Sequence, residues 1–266
     1  MNLLISDKAL DNIEREARKQ PRLETGGILA GLRQGENAVI THATGPGPTA
    51  THSRYHFIKD TPYLQSVLNL LFEYFGANYL GVWHKHTPDL PQPSAGDMVS
   101  ARDELADAQV GVEQLILPIC TLKDGQVNII PYIVDRTGCK KIEWQTVPHS
   151  DLLIPDLIGS QWYESPSGRS RASEELEQLR QAGITAEVRK TEDSGYNFHL
   201  SLDETSSRHL IIICPNDYPV SAPEVTLFDS GSREYRPITS SRLLDWTIDS
   251  HVVDVYREVT TQTATL

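Results

Sequence analysis

Short apolar segments alternate with helical patterns through the first half of this chain, and this alternation limits its possible folds more than any other feature. Three segments have the length and composition of strands, namely Leu3–Ile5, Gly26–Ala30 and Ala38–Thr44. Ser6 is suited to be the N-cap of a helix that follows the first strand. Because alternating strands and helices usually build layered α/β domains, we expect an α/β fold.

The predicted helices of this half carry an apolar residue every three or four positions. The helix after Ser6 has an apolar stripe of Leu10, Ile13 and Ala17. A second apolar face ends near Gly76 and consists of Leu64, Val67, Leu68, Leu71, Phe72 and Phe75. A third helix opens at Ser94 and is expected to turn inward Met98, Ala101, Leu105 and Ala108.

The remaining strands complete one domain. Tyr79–His86 is predicted to be a strand. An Asp-Gly pair at residues 124–125 predicts the turn of a hairpin. The two strands of this hairpin are expected at Gln114–Leu122 and Gln126–Val134. These elements suffice for an α/β domain over residues 1–136.

The second half is organised differently. In the middle of the chain the periodicity weakens and Pro, Gly and Ser are frequent, so we expect a linker over residues 137–160. Beyond it the sequence predicts a helix at Ala172–Gln181 and further helical structure within Ser240–Val259. Between them lie three predicted strands, Ile184–Lys190, Tyr196–Leu202 and Arg208–Cys214. We therefore expect a smaller α+β domain over residues 161–266.

Composition excludes several classes of protein. The chain has 266 residues, of which 39% are apolar and 23% charged, as is usual for a globular protein. Its net charge of −12 argues against a nucleic-acid partner. Three cysteines without C-x-x-C spacing do not predict a disulfide framework. No apolar run approaches the roughly 20 residues of a membrane span, and the first residues do not resemble a signal peptide. We expect a cytoplasmic protein with no membrane partner.

The segment WHKHTPDLPQPSAGD carries the candidate site. His84 and His86 occupy alternate positions of a strand, so both imidazoles point to one side of it. Two such histidines are, by themselves, more often hydrogen-bonded side chains than metal ligands. Ser94 with Asp97 is, by itself, a helix capping box. Each motif alone favours a structural role.

Taken together, the motifs favour a metal site. Pro88, Pro91 and Pro93 restrict the loop between strand and helix, so Asp97 in the first helical turn can lie beside both imidazoles. Two histidines and one carboxylate leave the fourth position of a tetrahedral zinc site open, which is typical of catalytic zinc. The interpretation is one Zn²⁺ per chain, held by the two histidines and Asp97.

A hydrolytic zinc site also needs a proton acceptor that does not bind the metal. Glu24, in the segment LETGGILAG, is the candidate, at the mouth of a strand whose glycines permit close backbone approach. By itself Glu24 would be an ordinary surface carboxylate. Only its combination with the other motifs makes it a candidate base.

Residues 1 to about 135 resemble the JAB/MPN domain that carries the JAMM metalloprotease motif, a three-layer α/β fold similar to that of cytidine deaminases. The motif is a Glu on an early strand, then H-x-H, seven residues and S-x-x-D. Here its positions are Glu24, His84, His86, Ser94 and Asp97. The segments ETGGILAG, ATGPGP and YLGVWHKH also resemble compact prokaryotic members.

This resemblance implies a zinc-dependent isopeptidase that acts on ubiquitin-like modifiers. It implies that Glu24 deprotonates water and later protonates the leaving amine, while Ser94 stabilises the oxyanion. Thr87 departs from the family, which usually has Pro directly after the second His. The departure concerns the shape of the loop, since the spacing of the motif is intact.

Residues from about 160 onward resemble the ubiquitin-conjugating fold or its RWD-like relatives. The resemblance rests on the helical segment SEELEQL, a strand meander and the segment IIICPNDYPVSAPEVTLF. No cysteine follows Pro215, so the thioester nucleophile of that fold is missing, and Cys214 is expected to be a small buried residue. The resemblance therefore implies an inactive domain.

We expect a zinc-dependent isopeptidase or peptidase that removes a ubiquitin-like protein from its targets or matures its C-terminus. The resemblance suggests a bacterial conjugation system that serves in defence. The expected partners are the modifier, its conjugates and the activating or conjugating enzymes of that system. Two alternatives stay open, namely a metal-free MPN scaffold and a hydrolase of small adducts on a sulfur-carrier protein.

Overall fold

The chain divides into two compact units in a computed structural model, Met1–Leu157 and Ile158–Leu266. The structure describes residues 2–87, 90–152, 161–191, 195–202 and 207–263. Each unit has its own sheet and its own helices. No helix in these ranges is both long and apolar enough to cross a membrane.

The described residues of the N-terminal unit form three α-helices and twelve strands. The helices are α1 (Asp7–Lys19), α2 (Thr61–Phe75) and α3 (Ala95–Ala106). The first six strands are β1 (Leu3–Ser6), β2 (Thr25–Gln34), β3 (Asn37–Ala43), β4 (Thr51–His52), β5 (Phe57–Ile58) and β6 (Asn78–Lys85). The next six are β7 (Gln114–Ile116), β8 (Ile119–Lys123), β9 (Gln126–Ile130), β10 (Tyr132–Asp135), β11 (Gly138–Lys141) and β12 (Gln145–Val147).

Ten of these strands form one sheet, in the order β11-β10-β7-β6-β2-β3-β1-β12, and the β8–β9 hairpin joins it through β6. Strands β4 and β5 form a separate two-stranded hairpin. Strand β2 runs antiparallel to β6, with Thr25 opposite Lys85 and Gly26 opposite His84. The beginning of β2 and the end of β6 therefore meet, which brings Glu24 close to the histidines.

Helices cover both faces of this sheet. Trp83 of β6 is fully buried in a cluster that includes Ile13 of α1, whereas Val82 packs against the cluster that includes Ala101 and Leu105 of α3. Because neighbouring residues of a strand face opposite sides, α1 and α3 lie on opposite faces. The predicted three-layer α/β fold is confirmed for this unit.

The helix ends follow local capping chemistry. The Ser6 hydroxyl accepts a hydrogen bond from the Ala9 amide, and α2 stops where Gly76 adopts a left-handed φ of 63°. The capping box predicted at the start of α3 is present. One predicted helix face is wrong in part, since Phe72 is 59% exposed while Tyr74 is buried. The apolar stripe therefore turns slightly toward Tyr74.

The predicted hairpin over residues 114–134 is wrong in its extent. Pro118 and Pro131 each fall inside a predicted strand, and proline cannot donate to a ladder, so the segment becomes four strands. Strand β8 pairs with β9 around the predicted turn, where Asp124 and Gly125 have positive φ. Strand β7 instead pairs with β10.

The predicted linker over residues 137–160 differs from the structure in its first part. Gly138–Lys141 pairs with β10, and Gln145–Val147 pairs in parallel with β1. These strands are short, polar and mostly exposed, so they carry no apolar alternation to reveal them. Residues 153–160 of the expected linker lie outside the described part of the chain.

The described residues of the C-terminal unit form one antiparallel sheet and three α-helices. The helices are α4 (Pro166–Gln181), α5 (Ser241–Leu244) and α6 (Val252–Thr263). The strands follow one another as a meander of β13 (Ala186–Thr191), β14 (Gly195–Ser201), β15 (Arg208–Cys214), β16 (Glu224–Asp229) and β17 (Glu234–Pro237). Helix α4 begins six residues before the predicted start, because Ser165 caps it and Pro166 occupies its first turn.

The three cysteines form no disulfide bond. Cys120 and Cys214 are buried, Cys139 is exposed, and all three are free thiols. Burial raises the pKa of both buried thiols well above the ordinary value. The expectation that Cys214 is a small buried residue agrees with its 3% exposure. Such thiols stay protonated and are poor nucleophiles.

Candidate metal centre

The candidate site lies where three elements of the N-terminal unit meet. His84 is near the end of β6, and His86 follows directly after that strand. Asp97 is the third residue of α3, and Glu24 directly precedes β2. The structure thus brings four predicted site residues together from segments that are up to 73 positions apart (24 to 97).

The Asp97 carboxylate is the centre of the cluster. Its Oδ1 atom lies 2.6 Å from His84 Nδ1, and its Oδ2 atom lies 3.0 Å from His86 Nε2. Oδ2 also accepts a hydrogen bond of 2.7 Å from the Ser94 amide. Asp97 therefore closes the capping box and faces both imidazoles at once.

His86 is oriented by the loop that follows it. Its Nδ1 atom lies 2.9 Å from the Leu90 carbonyl oxygen, which can only accept, so Nδ1 carries the proton. In a neutral His86 the Nε2 lone pair then faces the Asp97 carboxylate. Two such acceptors at 3.0 Å repel each other unless a proton or a metal cation lies between them.

His84 lies between two carboxylates. Its Nδ1 atom faces Asp97, while its Nε2 atom lies 3.4 Å from Glu24 Oε2. Nε2 is buried and makes no hydrogen bond within the described part of the chain. The rings of His84 and His86 approach edge to face, with centroids 4.8 Å apart. Two imidazoles and two carboxylates thus converge on one small volume.

The ionisation of the cluster follows from these contacts. Burial would raise the pKa of Asp97, but hydrogen bonds from His84 and His86 outweigh it and hold that pKa well below its usual range. Burial would lower the pKa of His86, but the bonds to Asp97 and Leu90 outweigh it and raise that pKa. The cluster therefore stabilises positive charge beside Asp97.

The donor set fits a metal ion. One ligand atom from each of His84, His86 and Asp97 lies within 4.8 Å of the others, so the three residues could hold a single cation. Imidazole nitrogen with carboxylate oxygen suits zinc and similar transition metals. The Leu90 carbonyl that orients His86 is the kind of outer contact that metal-binding histidines usually have.

Ser94 lies at the rim of the cluster and is exposed. Its hydroxyl oxygen accepts a hydrogen bond of 3.2 Å from the Asp97 amide, as a helix N-cap does. A hydroxyl that accepts through its lone pair can still donate its hydrogen. The cap therefore leaves Ser94 able to donate to a bound oxygen atom.

Two residues near the cluster carry no motif of their own. His52 of β4 donates from Nδ1 to the Glu24 carbonyl oxygen at 2.8 Å, and the Thr87 hydroxyl donates to the Arg54 carbonyl oxygen at 2.5 Å. Both act on backbone carbonyls, so spacing rules for side-chain ligands do not find them. Pro88, one of the three prolines in the loop prediction, lies outside the described residues.

Lys85 lies between the two histidines and is fully buried on the opposite face of β6. Burial lowers the pKa of the Lys85 ammonium group, and the Glu24 carboxylate partly counteracts this. Its ammonium group makes no hydrogen bond to any described residue. The H-x-H segment thus directs the imidazoles to the cluster and the lysine into the core.

Comparison with known proteins found a family match within the N-terminal unit. Residues 6–134 match the family described as prokaryotic homologs of the JAB domain. The matched region contains all five candidate residues, Glu24, His84, His86, Ser94 and Asp97. The match ends at residue 134, so the expected ubiquitin-conjugating resemblance of the second half stays a prediction.

Two curated relatives share the printed name CD-NTase/cGAS isopeptidase. The relative from Escherichia coli is 38% identical over 79 residues, which are 29% of this chain and 51% of the relative. The relative from Vibrio cholerae is 34% identical over 103 residues, which are 38% of this chain and 64% of the relative. The chain therefore spans between half and two thirds of the length of these relatives.

Two solved structures are also similar to part of this chain. A protein of Desulfitobacterium hafniense has a TM-score of 0.45 at 20% identity, covering 55% of this chain and 93% of its own. A protein of Salinibacter ruber has a TM-score of 0.38 at 18% identity, covering 55% of this chain and 92% of its own.

Proposed function

We propose that the N-terminal unit is a zinc-dependent isopeptidase or peptidase that cleaves a ubiquitin-like protein from its targets or matures its C-terminus. The observation that carries the proposal is the cluster of His84, His86 and Asp97, whose ligand atoms lie within 4.8 Å of one another. Glu24 adds a carboxylate 3.4 Å from His84, outside that ligand set. Three ligands with a separate carboxylate are the parts that a hydrolytic zinc site needs.

Each residue has a role in this proposal. His84, His86 and Asp97 hold zinc, which when bound supplies Lewis acidity that makes water a competent nucleophile near neutral pH. Glu24 accepts the proton of the attacking water and returns it to the leaving lysine amine. The Ser94 hydroxyl donates to the oxygen that gains negative charge as the carbonyl carbon becomes tetrahedral.

The names of the relatives suggest where to look for the substrate. Both are called CD-NTase/cGAS isopeptidase. The alignments cover 51% of one relative and 64% of the other. We infer that this chain belongs to a bacterial conjugation system in which a CD-NTase carries the modifier. The modifier and the enzymes that attach it are the partners in this proposal.

The C-terminal unit is proposed to bind rather than to catalyse. Its order of helix, strand meander and helix is compatible with an inactive ubiquitin-conjugating or RWD-like domain. Its cysteine, Cys214, has a pKa raised well above the ordinary value by burial and is a poor nucleophile. The unit would hold the modifier or a partner enzyme near the zinc site.

Cleavage of a defined fusion tests the proposal. The substrate is a ubiquitin-like protein from the same organism, joined through its C-terminus to a reporter protein. We expect the wild type to cleave at the junction and Glu24→Gln to lower kcat by about 10²–10⁴-fold, the usual contribution of a general acid–base. Glu143→Gln changes an exposed carboxylate elsewhere in the unit and should leave kcat unchanged.

The same assay separates the alternatives. A wild type that neither binds zinc nor cleaves any fusion is the result expected of a metal-free scaffold and contradicts the proposal. Zinc binding with cleavage of small C-terminal adducts, but not of protein fusions, would favour the hydrolase of sulfur-carrier adducts.

A further inference from the structure

The β4–β5 hairpin holds the backbone of Glu24 from both sides. The Glu24 amide donates to the Ser53 carbonyl oxygen at 2.8 Å. The Glu24 carbonyl oxygen accepts from His52 Nδ1, also at 2.8 Å. Glu24 precedes β2, so these two bonds tie the residue to the hairpin just before the sheet begins.

The same hairpin is tied to the segment that carries the histidines. The Thr87 hydroxyl, one position after His86, donates to the Arg54 carbonyl oxygen at 2.5 Å. The Phe57 ring stacks on His52, with centroids 5.6 Å apart, and lies 6.0 Å from the His84 ring. The hairpin therefore contacts both sides of the candidate site.

Internal bonds connect the two strands and the tip of the hairpin. His52 pairs with Phe57 across the strands. At the tip, the Ser53 amide and the Ser53 hydroxyl both donate to the His56 carbonyl oxygen, each at 2.8 Å. A shift of the tip at Arg54 would therefore move His52, and with it the Glu24 backbone.

We propose that His52 and Thr87 are positioning residues, which act through the β4–β5 hairpin to place the Glu24 carboxylate beside His84. The inference rests on the proposed function, in which Glu24 is the base. It also gives a reason for Thr87, because proline at this position would have no hydroxyl to bond Arg54. Since proton transfer requires close approach, small displacements of the base cost much of the rate.

Substitutions of His52 test the first contact. His52→Leu removes the donor to the Glu24 carbonyl, and we expect kcat to fall about tenfold while KM and zinc content stay within twofold of wild type. His52→Asn places an amide nitrogen near the position of Nδ1 and should restore kcat to within about threefold. His56→Leu removes an exposed imidazole from the same hairpin and should change nothing.

Substitutions of Thr87 test the second contact independently of folding around His52. Thr87 is half-buried and its bond to Arg54 lies at the surface, so Thr87→Val should fold normally. We expect Thr87→Val to lower kcat about fivefold with KM unchanged, and Thr87→Ser, which keeps the hydroxyl, to match wild type.

A second measurement separates this inference from the proposed function. Hydrogen–deuterium exchange, followed by mass spectrometry on the peptide that contains the Glu24 amide, should be at least about tenfold faster in His52→Leu than in wild type or His56→Leu. If the wild type cleaves its fusion but His52→Leu keeps full kcat, the inference is overturned and the proposed function stands. If the wild type shows no turnover, the proposed function fails. Equal hydrogen–deuterium exchange of this peptide in wild type and His52→Leu would overturn the inference as well.

Discussion

At the scale of single residues, Asp97 shows how one side chain can serve both the fold and the site. As the third residue of α3 it closes a capping box with Ser94, and its two oxygens face His84 and His86. Helix capping normally fixes such a side chain to within a narrow range of positions. The cap therefore preorganises the Asp97 carboxylate beside both imidazoles.

Ser94 has an observed capping role and a proposed catalytic role, and two substitutions distinguish them. Ser94→Ala should cost about 1 kcal/mol of stability through the lost N-cap, whereas Ser94→Gly should cost only a few tenths. Both variants lose the hydroxyl, so we expect both to lower kcat by roughly 10²–10³-fold, the value of one oxyanion donor. Thermal unfolding and steady-state kinetics measure the two effects. A kcat that follows stability, low in Ser94→Ala and normal in Ser94→Gly, would contradict the catalytic role.

The residues that could be predicted from the sequence are those whose spacing reflects strand or helix geometry. His84 and His86 are two positions apart at the end of a strand, so their side chains share one side. Ser94 and Asp97 are three positions apart at a helix start, so they share a cap. His52 and Leu90 could not be predicted in this way. Each touches the cluster or Glu24 through a backbone carbonyl, whose position depends on the path of a loop.

At the scale of elements, a buried ion cluster joins helix α4 to the start of α6 in the C-terminal unit. Glu175 is fully buried and lies 2.7 Å from Arg171 Nη2. Its other oxygen accepts from the Val252 amide at 2.9 Å, and the Tyr218 hydroxyl also donates to Glu175. Glu175 thus pairs with the Arg171 charge and accepts hydrogen bonds from the Tyr218 hydroxyl and from an amide at the start of α6.

Removing the Glu175 charge should destabilise this unit. Glu175→Gln leaves Arg171 buried without its counter-ion, and we expect a loss of about 3 kcal/mol, or on the order of 10 °C in Tm. Glu177→Gln breaks an exposed pair with Arg180 on the same helix and should cost well under 1 kcal/mol. Differential scanning calorimetry of the full chain measures both. Equal stability of the two variants would show that the buried pair contributes little.

The pH dependence of this effect has a definite sign. Burial would raise the pKa of Glu175, but His251 at 3.4 Å and Arg171 outweigh burial and lower it. A carboxyl with a lowered pKa in the folded state stabilises the fold above the unfolded pKa of about 4.3 and loses this contribution as pH falls through the folded pKa. The Tm difference between wild type and Glu175→Gln should therefore shrink below about pH 4.

Helices and strands could be predicted from the sequence where the apolar periodicity was strong. The prediction failed where this periodicity was weak or interrupted. Helix α1 begins after the predicted cap, Ser6, but residues 114–134 form four strands instead of two because of internal prolines. The sequence does not predict the β4–β5 hairpin, since each of its strands has only two residues. Such short pairs depend on contacts that are distant in sequence.

At the scale of the whole molecule, the division of labour between the two units can be tested by truncation. Ending the chain at residue 157, where the first compact unit ends, removes the proposed binding unit. We expect cleavage of a short peptide with the tail of the modifier to be unchanged. Cleavage of the full modifier fusion should become less efficient mainly through a higher KM. The reason is that linked binding modules gain about 10²–10⁴-fold in avidity.

The control for truncation is a cysteine substitution in the full chain. Cys214→Ala should change neither substrate, since its thiol is buried and protonated. An equal loss on both substrates after truncation would indicate a structural role for the C-terminal unit instead of binding. A loss in Cys214→Ala with normal folding would reveal a functional thiol.

The central claim is that His84, His86 and Asp97 hold zinc while Glu24 stands beside the metal without binding it. The most direct measurement is zinc per chain, by inductively coupled plasma mass spectrometry, after purification without chelators. We predict about one zinc per chain in the wild type and in Glu24→Gln, and almost none in His84→Ala with His86→Ala. A wild type without zinc, or a Glu24→Gln variant that has lost it, would contradict the account.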